Sequence, residues 1–327
     1  MILWLAGCRI EWGPPQEQVS ASPDAGPRGE VWVYTSVYQS VLDALDPVVR
    51  EALPDVEVRW YQAGSEKVAQ RVETEWAAGG SPACLLMTSD PFWYVRLADE
   101  GRLQSHFAPN VLEVDRSMVD PAARWVGSRV SLVVLAVNHS IPAGSRPTSF
   151  AALADARWVD QVTMPDPLAS GTAFTWLAFQ DPALIAALHQ NRIVAAGGNS
   201  AVLNRVASGE RPVGVVLLEN VLASDGAPVD VVYPTDGAVA VPGPIALTAG
   251  CPNPVAARAL YDLLLSPVGQ RLLVGGDMYA ALPALPPPDG APPLAELAVR
   301  PWSAGFAASV TADQARIKDA WAAAVAE

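Results

Sequence analysis

The stretch Glu30-Val31-Trp32-Val33-Tyr34-Thr35-Ser36 decides the fold class, because a run of β-branched and aromatic residues ends here in two small hydroxyl residues. Such a run is typical of a β-strand. A helix pattern follows from Tyr38 to Ala52, with apolar residues recurring on one face. The sequence therefore predicts a strand that is followed directly by a helix.

The same alternation occurs twice more before residue 101. Residues 56–61 and 84–87 have the patterns of a second and a third strand. Residues 66–76 and 93–100 have the apolar periodicity of the helices that follow them. Strands that alternate with helices form parallel sheets with right-handed crossovers, so the sequence predicts an α/β fold.

A second α/β unit is predicted further along the chain. Its elements are a long apolar strand at 131–138, strand 161–164, helix 173–180, helix 201–207, and strands 213–218 and 229–234. Strand 244–247 and helix 254–265 then suggest a return to the first unit. Residues 283–293 are rich in proline and are predicted to be irregular, and residues 312–326 are predicted to form a terminal helix.

Length and composition limit the class of protein. The chain has 327 residues, a net charge of −13, 51% hydrophobic residues and 17% charged residues. This composition is that of a folded protein, and the length favours two lobes over one core. No segment supplies the stripe of Lys and Arg that a phosphate backbone requires, so no nucleic-acid partner is expected.

The N-terminal residues suggest export. Leu5-Ala6-Gly7-Cys8 resembles the bacterial lipobox, in which the cysteine is acylated, and residues 13–30 have the composition of a flexible tether. We therefore predict lipidation at Cys8, a membrane surface as a partner, and a periplasmic or cell-surface location. The alternative is a chance cysteine in an apolar terminus.

Two other cysteines, Cys84 and Cys251, lack the spacing of a metal site. Export would permit a disulfide between them. Cys84 lies in an apolar run, where a buried free thiol is equally ordinary. The sequence leaves both alternatives open.

Small hydroxyl residues mark the predicted strand–helix junctions. They are Ser36, Ser65 and Ser89. In open α/β sheets the ligand crevice lies beyond the carboxyl ends of the strands, where helix N-termini present free N–H groups. We therefore expect the three serines to converge on one crevice. Each of them could instead be a simple N-cap.

Several motifs, in this order, resemble those of bacterial extracellular solute-binding proteins, the receptor components of ABC importers. They are residues 33–36, 63–65, Met164-Pro165-Asp166-Pro167-Leu168-Ala169-Ser170-Gly171-Thr172-Ala173, residues 209–210 with 213–215, 233–237 and 265–270. The branch that the chain resembles includes iron(III), 2-aminoethylphosphonate and sugar-phosphate receptors.

The resemblance implies a periplasmic binding protein type II-like fold, in which two doubly wound α/β lobes are joined by a two-strand hinge. Residues 1–29 would be the signal remnant and tether. Residues 30–134 and 242–327 would form lobe one, and residues 135–241 lobe two. A small-molecule ligand would bind between the lobes, and the receptor would be a monomer that delivers it to an ABC permease without a cofactor.

The candidate ligand-binding residues combine neutral donors with one carboxylate. They are Ser36, Tyr38, Ser65, Ser89, Ser170, Gly171, Thr172, Asn199, Ser200 and Glu219. Hydroxyls and backbone N–H groups at helix N-termini suit an oxyanion, and Glu219 could accept hydrogen bonds from an ammonium group. A small anion or zwitterion, of phosphonate or organophosphate type, is therefore the expected ligand. For the hydroxyl and amide residues the alternative is ordinary capping, and for Glu219 an exposed carboxylate.

Three alternative functions are less well supported by the sequence. Iron(III) receptors of the family usually carry adjacent tyrosines near the position of Glu219, and this sequence contains no Tyr-Tyr pair. An enzyme is not expected, because the chain lacks the GxSxG, HExxH, P-loop and GxGxxG motifs. A receptor that signals ligand binding to a histidine kinase is the third alternative.

Overall fold

A computed structural model of the chain describes residues 26–300 and 302–326. The lipidation candidate Cys8 and most of the predicted tether lie outside the described residues. Within those residues, no helix combines the length and the apolarity that crossing a membrane would require.

The first three strand–helix pairs follow in the order that the sequence predicts, and the structure adds short strands and the helices Pro182–Gln190, Leu218–Leu222 and Pro267–Val274, which the sequence pattern did not indicate. The strands are β1 (Gly29–Thr35), β2 (Val56–Gln62), β3 (Ala83–Met87), β4 (Leu103–Gln104), β5 (Val126–Asn138), β6 (Val162–Met164), β7 (Val194–Ala195), β8 (Val213–Leu217), β9 (Val229–Val232), β10 (Ala238–Thr248), β11 (Tyr279–Ala280) and β12 (Val299–Arg300). The α-helices are α1 (Gln39–Ala52), α2 (Ser65–Ala77), α3 (Pro91–Asp99), α4 (Gly171–Ala178), α5 (Pro182–Gln190), α6 (Asn199–Ser208), α7 (Leu218–Leu222), α8 (Pro254–Leu265), α9 (Pro267–Val274) and α10 (Ala304–Ala326).

The main sheet has two parallel parts that are joined by two long antiparallel strands. Its strand order is β2-β1-β3-β10-β5-β8-β6-β7. Strands β1, β2 and β3 are parallel to one another, as are β6, β7 and β8. The long strands β5 and β10 pair in the middle. This mixed α/β architecture confirms the predicted fold class.

The two central strands are longer than the sequence predicts, and the missed residues have a physical explanation. Strand β10 begins at Ala238, whereas the sequence pattern suggested Pro244. Pro242 and Pro244 interrupt the strand pattern, but the register of the β5–β10 pair shifts between Gly243 and Pro244. Such an irregularity accommodates residues that cannot donate to a regular ladder.

Apolar side chains pack on both parts of the sheet. Helices α1, α8 and α9 cover one face of the first part, where Leu42, Leu260 and Leu273 are buried. In the second part, Trp158 and Trp176 are buried against strands β6 and β8. These separate cores are consistent with the two predicted lobes, whose exact limits stay a prediction.

An aromatic cluster joins helices from both parts of the fold. The Phe92 ring in α3 lies 5.5 Å from the Phe174 ring in α4. Phe306 in α10 stacks on Phe179 at 3.8 Å and also contacts Phe92 at 5.9 Å, between ring centroids. The terminal helix, which starts earlier than predicted, therefore packs against both α3 and the end of α4.

Cys84 and Cys251 form a disulfide. Cys84 lies in β3, and Cys251 follows β10, which pairs with β3. The bridge links positions 167 residues apart in sequence. Of the two alternatives that the sequence left open, the structure therefore contains the bridge.

Candidate ligand-binding site

Three predicted serines form one cluster at the carboxyl ends of β1 and β3. Ser36 follows β1, Ser65 begins α2, and Ser89 follows β3. The Ser65 hydroxyl donates to the Ser36 Oγ at 3.2 Å, and the Ser89 backbone N–H donates to the Ser65 Oγ at 3.2 Å. The structure thus brings together three side chains that the strand–helix pattern placed at separate junctions.

Arg129 lies beside this cluster and was missed by the sequence analysis. Its Nη2 donates to the Ser89 Oγ at 3.0 Å and its Nη1 approaches the Ser128 Oγ at 3.4 Å. The residue is 1% exposed. Among the described residues, no carboxylate lies within 4 Å of the guanidinium to form an ion pair. The site therefore contains a buried cation whose protein partners are neutral hydroxyls.

A glycine makes room for this cation. A Cβ atom at Gly243 would stand 2.6 Å from the Arg129 Cζ, so the guanidinium lies directly against the β10 backbone. Burial lowers the pKa of Arg129, while the nearby Tyr94, Glu219 and Tyr38 raise it. Arginine nevertheless stays protonated in proteins, so the site keeps its positive charge.

Glu219 is the second charged residue of the site. It lies in the first turn of α7, is 3% exposed, and accepts a hydrogen bond from the Ser131 Oγ at 2.7 Å. Burial raises the pKa of Glu219 to about 7, against the lowering effects of Ser131 and Arg129. The alternative of an exposed carboxylate is therefore wrong, and this carboxyl group is poised to change protonation near neutral pH.

Tyr38 connects the first strand–helix junction to α7. Its hydroxyl donates to the Asn220 Oδ1 at 2.9 Å, across 182 residues of sequence. Burial, followed by the Glu219 carboxylate, raises the pKa of the phenol well above its usual value. Tyr38 therefore stays neutral and acts as a hydrogen-bond donor beside Glu219.

The motif Ser170-Gly171-Thr172 stands at the N-terminus of α4, close to Ser89. The Ser170 Oγ accepts from the Ala173 N–H at 3.4 Å and lies 3.1 Å from the Thr172 Oγ1. A Cβ atom at Gly171 would stand 2.7 Å from the Asp90 Cβ and 2.8 Å from the Ser89 carbonyl oxygen. The helix start therefore contacts the loop that carries the serine cluster.

Asp90 is a further ionisable residue at this contact. Its carboxylate caps α3 by accepting from the Phe92 and Trp93 N–H groups. Burial raises the pKa of Asp90 to about 6, an effect that the Glu66 carboxylate strengthens. Asp90 therefore holds the loop after β3 in place, and this loop contacts Gly171.

The last two candidate residues lie at the start of α6. The Asn199 Oδ1 accepts from the Leu217 N–H at 3.3 Å, which places Asn199 next to the segment that carries Glu219. Ser200 is exposed. No hydrogen bond among the described residues joins Ser200 to the serine cluster, so the structure brings Asn199 closer to the other candidates than Ser200.

A signal for Arg129 was present in the sequence. The run Val126-Gly127-Ser128-Arg129-Val130-Ser131 continues the apolar strand backwards, and it is part of β5 in the structure. Residues two apart share a face of a strand, so Arg129 and Ser131 point to the same side. The predicted strand starts at residue 131, so Arg129 falls outside it and is treated as a loop residue.

The donors of this arrangement share one kind of chemistry. The arrangement combines a guanidinium, several hydroxyls and a helix N-terminus, all of which donate hydrogen bonds to anionic oxygens. Across residues 26–300 and 302–326, no group of three or more His, Cys, Asp and Glu side chains is placed to hold a metal ion.

Residues 31–275 match the family model described as bacterial extracellular solute-binding protein. The chain belongs to this family. Members are extracellular or periplasmic receptors for solutes, so the coarse prediction of a solute-binding protein outside the cytoplasm is confirmed. No protein with a curated description matches the sequence.

Solved structures of solute receptors share the fold. A substrate-binding protein of an ABC transporter from Agrobacterium tumefaciens has a TM-score of 0.80 at 19% identity, over 94% of this chain and 96% of that chain. Iron-bound HitA from Pseudomonas aeruginosa has a TM-score of 0.79 at 17% identity, over 89% and 99%. AfuA from Actinobacillus pleuropneumoniae, with fructose-6-phosphate bound, has a TM-score of 0.78 at 20% identity, over 90% and 98%. At these identities the likeness concerns the fold.

Proposed function

We propose that this member of the solute-binding family is the receptor of an ABC importer and captures a small anionic or zwitterionic solute of phosphonate or organophosphate type. The proposed ligand contacts the Ser36–Ser65–Ser89 cluster, beside the contact between Gly171 and Asp90, and Arg129 would bind its anionic group. Tyr38, Glu219 and Asn199 would surround its other end.

The burial of Arg129 carries this proposal. Removing an ion from water costs several kcal/mol even after relaxation of the protein, and only a well-placed counter-charge repays the cost. Arg129 is 1% exposed, and its hydrogen bonds go to the hydroxyls of Ser89 and Ser128. A bound oxyanion would supply the missing negative charge and accept the remaining guanidinium N–H groups.

The surroundings of Arg129 favour a group with several oxygen atoms. Hydroxyls of Ser36, Ser65 and Ser89 cluster on one side, and the N-terminus of α4 approaches from the other. A phosphoryl or phosphonyl group offers three oxygens in different directions, which suits donors that converge from separate elements. The sugar-phosphate ligand of the structurally similar AfuA supports this class of solute.

The protonation of Glu219 on ligand binding would differ between a zwitterion and a simple dianion. Its pKa of about 7 means that both protonation states are populated near neutral pH. A ligand with an ammonium group would hold Glu219 ionised, so binding would release protons. A dianion without an ammonium group would favour the protonated carboxyl, so binding would take up protons.

Calorimetry at pH 7 tests both parts of the proposal. We expect 2-aminoethylphosphonate or a phosphate monoester to bind, and titrations in buffers of different ionisation enthalpy would give the sign of the proton transfer. Arg129→Met should abolish binding, whereas the exposed Arg50→Met, whose partner is Asp46, serves as the control. Binding of Fe(III) alone, with no phosphonate or phosphate ester bound, would instead support the iron alternative.

Partners and anchoring are the remaining parts of the proposal. Delivery to an ABC permease follows from the receptor role, and a lipid at Cys8 would keep the receptor, as a monomer, at a membrane surface. In cells, Cys8→Ser should move the protein from the membrane fraction to the soluble fraction. An unchanged distribution would remove the lipid anchor from the proposal but leave the solute class intact.

A further inference from the structure

A second cavity lies on the opposite side of the central strands. Its volume is about 520 Å³, and its floor includes Val130 of β5 with Ala240 and Pro242 of β10. Neighbouring residues of a strand point to opposite faces, so Val130 faces away from the side that carries Arg129. This cavity is therefore separate from the candidate solute site.

The cavity has the composition of a small-molecule site. Its walls are mainly apolar and include Leu282 and Leu285, together with Pro283, Pro286 and Pro287. Sites for small molecules are concave, predominantly apolar and contain a few polar groups that fix orientation. Two carboxylates of the lining supply such polar groups.

Trp302 also lines the cavity and is 3% exposed. Its indole N–H is itself shielded from the cavity, so the ring contributes apolar surface to the lining.

The charge of the lining indicates the kind of ligand. The carboxylates of Glu113 and Asp115 belong to the lining, which includes no Lys or Arg side chain among the described residues. Hydrogen bonds from the Ser117 side chain and backbone lower the pKa of Asp115, so this group stays ionised at neutral pH. The cavity therefore complements a positive group rather than a negative one.

From these observations we propose that the cavity is a second binding site, for a small apolar molecule that carries a basic amine. The apolar part would contact Val130 and Leu282, and the amine would lie near Glu113 and Asp115. This class of ligand differs from the oxyanion that is proposed for the Arg129 side.

Monodansylcadaverine is a suitable probe, because it joins a fluorescent naphthalene ring to a primary ammonium. Dansylglycine, which has the same ring with a carboxylate, is the matched control ligand. We expect the full-length protein to bind one molecule of the cation with blue-shifted emission, and to bind dansylglycine at least about 10-fold more weakly, which corresponds to about 1.4 kcal/mol. Glu113→Gln should reduce this preference.

Variants locate the probe. Ala295 is exposed and lines the cavity, so Ala295→Trp should block it and weaken monodansylcadaverine binding at least about 10-fold. Ala298→Trp, at a nearby position outside the lining, should change binding less than about 2-fold. Arg129→Met should leave the probe's affinity unchanged, which separates this site from the proposed function. Equal binding of the two probes, or full binding to Ala295→Trp, would overturn the proposal.

Discussion

Gly171 at the start of α4 touches Asp90 after β3, and there is no room for a methyl group between them. The Cβ atom that Gly171→Ala would add stands 2.7 Å from the Asp90 Cβ and 2.8 Å from the Ser89 carbonyl oxygen. The Ser89 backbone and the Asp90 side chain, which is held by its capping hydrogen bonds to α3, cannot move aside as a flexible side chain can. The contact therefore depends on glycine.

The first prediction concerns this contact. Gly171→Ala should destabilise the observed arrangement by roughly 1–3 kcal/mol, because the added methyl overpacks a filled space. Thermal melting of the ligand-free protein would measure the loss, and small-angle scattering would show an increased radius of gyration. Gly144→Ala is the matched control, since a Cβ there meets nothing within 4 Å. Equal melting temperatures for the two variants would contradict the contact.

The second prediction separates stability from binding at Arg129. Arg129→Met keeps an unbranched side chain against Gly243 but removes the buried charge. We expect the free energy of unfolding of the ligand-free variant to equal that of the wild type or to exceed it by up to about 4 kcal/mol, because the desolvation cost disappears. Urea unfolding measures the change, with Arg50→Met as the exposed control. A loss of more than about 2 kcal/mol would mean that Arg129 is mainly structural.

The third prediction concerns pH. Folded Glu219 keeps its proton up to about pH 7, whereas in the unfolded chain it ionises near the usual glutamate pKa of 4.5. The folded state therefore binds more protons in this range, and its stability falls as pH rises from about 4.5 to 7. The total contribution is roughly 3 kcal/mol.

Glu219→Gln removes this titration and keeps a similar shape. Urea unfolding at a series of pH values should therefore give the variant a smaller loss of stability between about pH 5 and 7 than the wild type. Asp90, which also has a raised pKa, remains in both proteins, so part of the pH dependence persists. Parallel curves for the two proteins would show that Glu219 is ionised when folded.

The fourth prediction concerns the bridge between Cys84 and Cys251. Its loss should lower the free energy of unfolding by about 2–5 kcal/mol, because the reduced unfolded chain gains conformational freedom. The double variant Cys84→Ala, Cys251→Ser and the reduced wild type should unfold at similar urea concentrations. Mass spectrometry of unreduced peptides must also find residues 84 and 251 cross-linked in the wild type, and two free thiols at these positions would refute the bridge.

Local patterns were sufficient for the alternating strands, because each element has its own apolar period. Helix α8, for example, has the limits that its sequence indicates, from Pro254 to Leu265. The clustering of Ser36, Ser65 and Ser89 was also predictable, since parallel strands end at one edge of a sheet. The match of residues 31–275 to the solute-binding family agrees with the motifs that suggested it.

The rest depends on contacts between distant residues, which no local pattern reports. Arg129 was missed because its strand begins at Val126 and was expected to begin five residues later, at residue 131. The burial of its charge arises only from the approach of β3 and β10. The pairing of Cys84 with Cys251 required the antiparallel neighbours β3 and β10. Glu219 was expected at the site, but its raised pKa comes from burial that the sequence does not encode locally.

The terminal helix has a mechanical consequence. Phe306 contacts Phe92 on one side and Phe179 on the other, and Lys318 reaches Glu66 while lying over the Phe174 ring. Any motion that separates α3 from α4 must break one of these sets of contacts or slide one ring past another. The receptor would then switch between discrete conformations, each with its own set of contacts to the terminal helix, and would not bend continuously.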